Sequence, residues 1–121
     1  MVVDDDSDTR NVMSRMLQSQ GHFVVEVGSG RQVAELARRH RPEVITLDMI
    51  MPDMDGLEVL RVLKADAQTR DIPVICMSVS DDLSARSLEL GAAQFLRKPL
   101  EFHLLLRAIQ TACAAAGTGA G

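Results

Sequence analysis

Short apolar runs alternate with amphipathic stretches along this chain, and the two periods mark different elements. Met1-Val2-Val3 stops abruptly at Asp4-Asp5-Asp6, so a first strand runs straight into charge. Val12, Met13, Met16, Leu17 and Gln20 follow helical spacing, and Gly21 supplies the stop. Phe23 to Val27 is aromatic and β-branched, a second strand broken by Gly28-Ser29-Gly30. Val33, Ala34, Leu36 and Ala37 mark a second helix, which ends in Arg38-Arg39-His40-Arg41 and stops at Pro42. Val44-Ile45-Thr46-Leu47 is nearly continuous apolar, the sign of a strand buried on both faces, and it ends on Asp48.

Asp55-Gly56-Leu57-Glu58 reads as a helix start, with Asp55 at the cap and Glu58 three residues on. Leu57, Val59, Leu60, Val62 and Leu63 carry that helix. Pro73 to Met77 is a fourth strand ending at Ser78, and Leu83 to Leu90 is a short helix closed by Gly91. Ala93 to Leu96 is a fifth strand leading to Lys98-Pro99, and Phe102, Leu105, Leu106, Ile109 and Ala112 line one face of a last helix. Five strand–helix units in 121 residues predict an α/β fold, a doubly wound parallel sheet with helices on both faces. The domain takes in residues 1–116, and 117–121 have the composition of a flexible tail or the start of a linker.

The 46% hydrophobic content supports a real core, and a chain this long buries roughly two-thirds of its unfolded surface. No apolar run approaches the ~20 residues of a membrane span, and the N-terminus lacks a signal-peptide pattern, so a cytoplasmic protein without membrane contact is expected. With 13 Lys+Arg against 17 Asp+Glu the net charge is −4, which gives no reason to expect nucleic-acid binding. Cys76 and Cys113 make neither a disulfide framework nor a zinc spacing and read as reduced core thiols.

The polar residues that remain collect at strand ends: Asp4 and Asp5 after the first, Asp48 after the third, Ser78 after the fourth and Lys98 after the fifth. Open α/β sheets bind ligands outside the carboxyl ends of their strands, where strand order reverses. With the order 2-1-3-4-5, Asp4, Asp5 and Asp48 share one crevice. Three close carboxylates repel one another, and a divalent cation relieves that repulsion; an all-oxygen set favours Mg²⁺. A carboxylate can also act as a nucleophile and form an acyl phosphate. Lys98 offers a point charge for phosphoryl oxygens and Ser78 a hydroxyl donor.

These stretches resemble the receiver domain of two-component response regulators. The match is carried by Val3-Asp4-Asp5, Asp48-Met49-Ile50-Met51-Pro52-Asp53-Met54-Asp55-Gly56, Pro73-Val74-Ile75-Cys76-Met77-Ser78 and Phe95-Leu96-Arg97-Lys98-Pro99, with Leu60 to Lys64 and Gly91-Ala92 between them. The resemblance implies a flavodoxin-like five-stranded sheet of order 2-1-3-4-5 with five helices. It implies Asp48 as the phosphoacceptor, Asp5 as a direct Mg²⁺ ligand, Asp4 acting through water and the Ile50 backbone carbonyl as a third protein ligand. Lys98 would pair with the phosphoryl group and Ser78 would move to bond it. Phe95 would turn inward behind Ser78. The Lys98–Pro99 bond is expected to be cis. The implied partners are a histidine kinase or histidine phosphotransfer protein, docking near Val12, Met13 and Met16, and a downstream output domain or protein. The output face would include Arg86, Glu89, Phe95, Leu96 and exposed residues of 101–107.

Four positions depart from the family's habit: the first strand is short, Val79 stands where a small residue is common, Phe95 replaces the commoner tyrosine, and Ile50 sets an apolar side chain beside the acceptor. Val79 and Ile50 together suggest a phosphorylated state slow to hydrolyse itself. Asp6, Ser7 and Asp8 read as capping residues, and Arg38, Arg39 and Arg41 as complements to the negative end of the second helix. The histidines His22, His40 and His103 read as surface or rim residues, and Asp53-Met54-Asp55-Gly56 does not frame a calcium loop, which would have to begin at Met51. Two other functions compete. One is a phosphohydrolase of the haloacid dehalogenase type, loosely matched by Asp4-Asp5-Asp6, and the other is a receiver-like interaction module that works without phosphate.

Overall fold

The computed structural model describes residues 1–115, so the tail 117–121 and residue 116 lie outside the described residues. Along the chain run β1 (Val2–Val3), α1 (Ser7–Ser19), β2 (Glu26–Val27), α2 (Val33–His40), β3 (Ile45–Asp48) and α3 (Gly56–Ala65). They are followed by β4 (Val74–Ser78), α4 (Ser84–Glu89), β5 (Gln94–Arg97) and α5 (Phe102–Ala115). Single 3₁₀ turns lead into α2 and α4. All strand pairs are parallel, in the order β2-β1-β3-β4-β5.

Alternation along the strands splits the apolar side chains between two cores. Val3, Val27, Ile45, Leu47, Val74 and Cys76 point to the side of α2 and α3, meeting Val33, Ala37, Leu60 and Leu63. Val2, Ile75 and Met77 point the other way and meet Met13 and Leu17 of α1 and Leu105, Ile109 and Ala112 of α5. The sheet is therefore covered on both faces, which is why β3 and β4 are continuous apolar runs.

Helix ends follow their sequence signals. Asp6 caps α1, accepting from the backbone N–H and the hydroxyl of Thr9, and Asp55 caps α3, accepting from the N–H of Leu57 at 3.0 Å. Glu58 does not reach back to complete a capping box; it pairs with Arg61 at 2.6 Å instead. Arg38 and Arg39 lie in the last turn of α2, as expected, and also pair with Asp66 and Glu35. Arg41 closes α2 in a left-handed conformation, φ +46°.

Several boundaries differ from the sequence reading. The second strand shrinks from Phe23–Val27 to Glu26–Val27 and leaves Phe23 fully exposed. The reason is β1: its two residues can pair with only two on β2, although the Val25 carbonyl still accepts from Val2 N–H at 2.9 Å. β3, β4 and β5 each sit one residue later than expected, because the ladder carries Asp48 opposite Met77 and Ser78 opposite Arg97.

Candidate functional site

Asp4 follows β1 directly and Asp48 is the last residue of β3; β1 and β3 are neighbours, so both carboxylates open into the crevice where strand order reverses. Asp4, Asp5 and Asp48 each bring an oxygen within 4.8 Å of the others. Asp4 and Asp48 are buried, while Asp5 stands exposed at the mouth. Lys98 directly follows β5 and is joined to Pro99 by a cis bond, its backbone N–H donating to the Ser78 carbonyl at 2.8 Å. Its ammonium lies 3.1 Å from Asp4 Oδ2 and 3.5 Å from Asp48 Oδ2.

The three carboxylates are not equivalent. Asp4 has a donor on each oxygen, the Asp6 N–H on Oδ1 at 3.0 Å and Lys98 on Oδ2. Asp48 Oδ1 receives a single backbone donor, the N–H of Ile50, at 3.3 Å. Asp5 carries no hydrogen bond among the described residues, so its oxygens are the ones free to take a new partner. Burial pushes the Asp48 carboxyl above its ordinary range, and the charges of Asp4 and Asp5 push the same way against the pull of Lys98. One lysine thus leaves the acidic group short of positive charge, and hard oxygen donors alone suit a cation such as Mg²⁺.

Around this centre the predicted switch residues sit on β4 and on the neighbouring β5. Ser78 is buried at the end of β4, its hydroxyl accepting from Ser80 N–H at 3.3 Å, and Phe95 is half-buried against the core beneath α3. Ile50 and Val79 expose their side chains, 57% and 62%, two residues past Asp48 and one past Ser78. Beside Lys98, the exposed Val12 and Met16 of α1 form with Val79, Leu100 and Phe102 an apolar groove of about 720 Å³. Met13, buried in the core, lines the same groove from beneath.

Other sequence readings resolve here. Asp6 spends its carboxylate on Thr9, so the Asp4-x-Asp6 pattern of a phosphohydrolase does not assemble in the crevice. His22, His40 and His103 are exposed. Asp53 is no calcium ligand: its carboxylate accepts from Ser29 Oγ at 2.5 Å and from Gly30 N–H at 3.3 Å, tying the loop after β3 to the start of α2. That tie and the contacts of Arg10 with Asp4 and Glu26 went unseen in the sequence, since both join residues with no shared periodicity.

The result is a doubly wound parallel sheet with an acidic crevice at its switch point and a lysine reaching over from the end of the last strand. The sequence matches the family model described as the response regulator receiver domain over residues 1–110, and the chain belongs to that family. It is 32% identical to the protein PilH of Pseudomonas aeruginosa over 116 residues, spanning 94% of this chain and 96% of PilH. It is 36% identical over 108 residues to the response regulator MprA of Mycolicibacterium vanbaalenii, covering 88% of this chain but only 46% of that protein's length. Among solved structures, the signal receiver domain of a signal transduction histidine kinase from Syntrophus aciditrophicus superposes with a TM-score of 0.85 at 30% identity, over 94% of this chain and 88% of that one. The family consists of signalling domains, not turnover enzymes, and no helix among the described residues is long and apolar enough to cross a membrane.

Proposed function

We propose that the domain takes a phosphoryl group onto Asp48 from a phosphohistidine donor, with Mg²⁺, and thereby changes an output surface on α4, β5 and α5. The observation that carries this is the setting of Asp48, a buried carboxylate facing Lys98 at 3.5 Å beside two further carboxylates. An Asp48 oxygen attacks phosphorus, the bond from phosphorus to the donor nitrogen breaks, and the nitrogen leaves with the electron pair. Asp5 would hold the cation directly with Asp48 and the Ile50 carbonyl. Asp4, both of whose oxygens have donors, would act through water. Mg²⁺, when bound, offsets the charge gathering on the phosphoryl oxygens. Lys98 turns from Asp4 and Asp48 to those oxygens, Ser78 donates its hydroxyl to them, and Phe95 follows inward. A buried hydroxyl at the end of β4 and a half-buried ring on the neighbouring β5 make a two-state element that the new charge biases.

The groove at Val12, Met16, Val79 and Phe102 opens beside Lys98, and it suits a helical segment of a histidine kinase or phosphotransfer protein. Arg86, Glu89, Leu88 and Leu104 stand exposed on α4 and α5 and would meet the downstream partner in a cytoplasmic setting.

Incubation with acetyl phosphate and Mg²⁺ should add one phosphoryl mass to the intact chain, and a chelator should prevent it. A folded chain that stays at its starting mass with both reagents present would overturn the reading. The lifetime of the adduct is a second expected result. Ile50 and Val79 put apolar surface where water would approach, so Ile50→Asn and Val79→Ala should each speed loss of the added mass several-fold. Unchanged decay in both variants would remove that role.

A further inference from the structure

We infer that Arg10 is a positioning residue for the cation site, acting through the peptide bond between Asp4 and Asp5; this rests on the proposed Mg²⁺ role of Asp5. Arg10 extends from the first turns of α1 over the end of β1. Its Nη1 donates to the Asp4 carbonyl at 2.7 Å and its Nε to Glu26 Oε1 at 3.2 Å. The same residue's N–H, that of Asp4, donates to the Val27 carbonyl at 3.1 Å. The backbone leading to Asp5 is thus held by β2 on one side and by Arg10 on the other.

That hold matters because Asp5 has little else: the Asp6 N–H on Asp4 Oδ1, at 3.0 Å, spans it, but no bond reaches Asp5 itself among the described residues. Its exposed carboxylate has no hydrogen-bond partner among the described residues, so its direction toward Asp48 follows from the backbone alone. β1 contributes only two residues to the sheet, too few to set the chain direction beyond Val3 without help. A guanidinium beside a cation site would ordinarily repel the cation. Here Glu26 takes up that charge, so the bond to the Asp4 carbonyl comes without a net positive field. Gly28 leaves the room: a Cβ at that position would lie 3.0 Å from Arg10 Nη1. Arg10, Glu26 and Gly28 form one arrangement whose output is the aim of Asp5. Groups that orient metal ligands without touching the metal commonly alter affinity by about tenfold or more when removed.

The test is Mg²⁺ titration by calorimetry on the metal-free chain, with the thermal midpoint measured separately in chelator. Arg10→Met should weaken Mg²⁺ binding about tenfold. Arg10→Lys, which keeps one donor for the carbonyl, should recover part of the loss. Glu26→Gln, which leaves the guanidinium charge unbalanced, should weaken binding in the same direction and serves if Arg10→Met does not fold. Arg38→Met, which removes a comparable ion pair with Asp66 elsewhere, should leave the affinity unchanged. Equal Mg²⁺ affinity in wild type, Arg10→Met and Glu26→Gln would overturn the inference, even with lowered midpoints, since a merely structural role predicts that pattern. A wild type that takes up no Mg²⁺ would instead overturn the proposed cation site and this inference with it.

Discussion

Asp48→Asn is expected to abolish phosphoryl uptake and, in metal-free buffer, to raise the unfolding temperature by a few degrees. The two effects have opposite signs for one physical reason. A carboxylate that must attack phosphorus needs free charge, and free charge inside a crevice shared with Asp4 and Asp5 is costly to the fold. The amide keeps the shape, loses the nucleophile and ends the repulsion. Because burial raises the folded-state pKa of Asp48 above its ordinary 3.8, the folded chain binds more protons than the unfolded chain between those values. Wild-type stability therefore falls as pH rises through that window, and the penalty is full above it. The gap between Asp48→Asn and wild type should be widest near neutral pH and close as pH is lowered toward 3.8. Mg²⁺ should narrow it from the other side, since a cation at about a hundred times its Kd adds about 2.7 kcal/mol to the state that binds it. Intact mass and thermal melts over a pH series check both halves. An Asn variant that melts below wild type at neutral pH without metal would contradict the account.

Gly56→Ala should be the most damaging small substitution, costing roughly 3 kcal/mol and lowering the midpoint by about 12 °C. Gly56 is the first residue of α3, and its N–H donates to the Met49 carbonyl at 3.1 Å. A Cβ there would lie 2.5 Å from Met49 Cα and 2.6 Å from its carbonyl oxygen, and a backbone cannot give way as a side-chain end can. Met49 is fully buried and directly follows Asp48. The strain would therefore be transmitted to the acceptor, and slower phosphoryl uptake should accompany the lost stability. Thermal melts in chelator and the mass assay together check it; a midpoint within 2 °C of wild type, an order-of-magnitude threshold, would show that α3 shifts freely.

Asp4, Asp5, Asp48, Ser78 and Lys98 were legible because each interrupts or follows an apolar run, and the parallel fold brings strand ends together. The caps Asp6 and Asp55 were legible for a similarly local reason. What the sequence hid depends on distance or on the arc of a helix. The family likeness pointed to Val12, Met13 and Met16 together, but not to their unequal depth: Val12 and Met16 stand exposed at the groove while Met13 lines it from within the core. Phe23 has strand chemistry, but strand length is set by the partner, and β1 offers two residues. In the sequence Asp53 belongs only to the family-like stretch 48–56 and to a rejected calcium loop, with no partner assigned. Its partners Ser29 and Gly30 lie over twenty positions away, in a turn whose course only the folded chain defines.

Lys98 and Asp4 stand 94 positions apart, and their contact sets an order of events during synthesis. A growing chain that has produced the carboxylates of β1 and β3 still lacks the ammonium that faces them. Half-made molecules therefore carry the carboxylates without the ammonium that faces Asp4 and Asp48, and the proposed phosphoryl site is incomplete until β5 has docked. On the proposed reading, competence to receive a signal and completion of the sheet arrive together, and a nascent or partly folded chain is silent by construction.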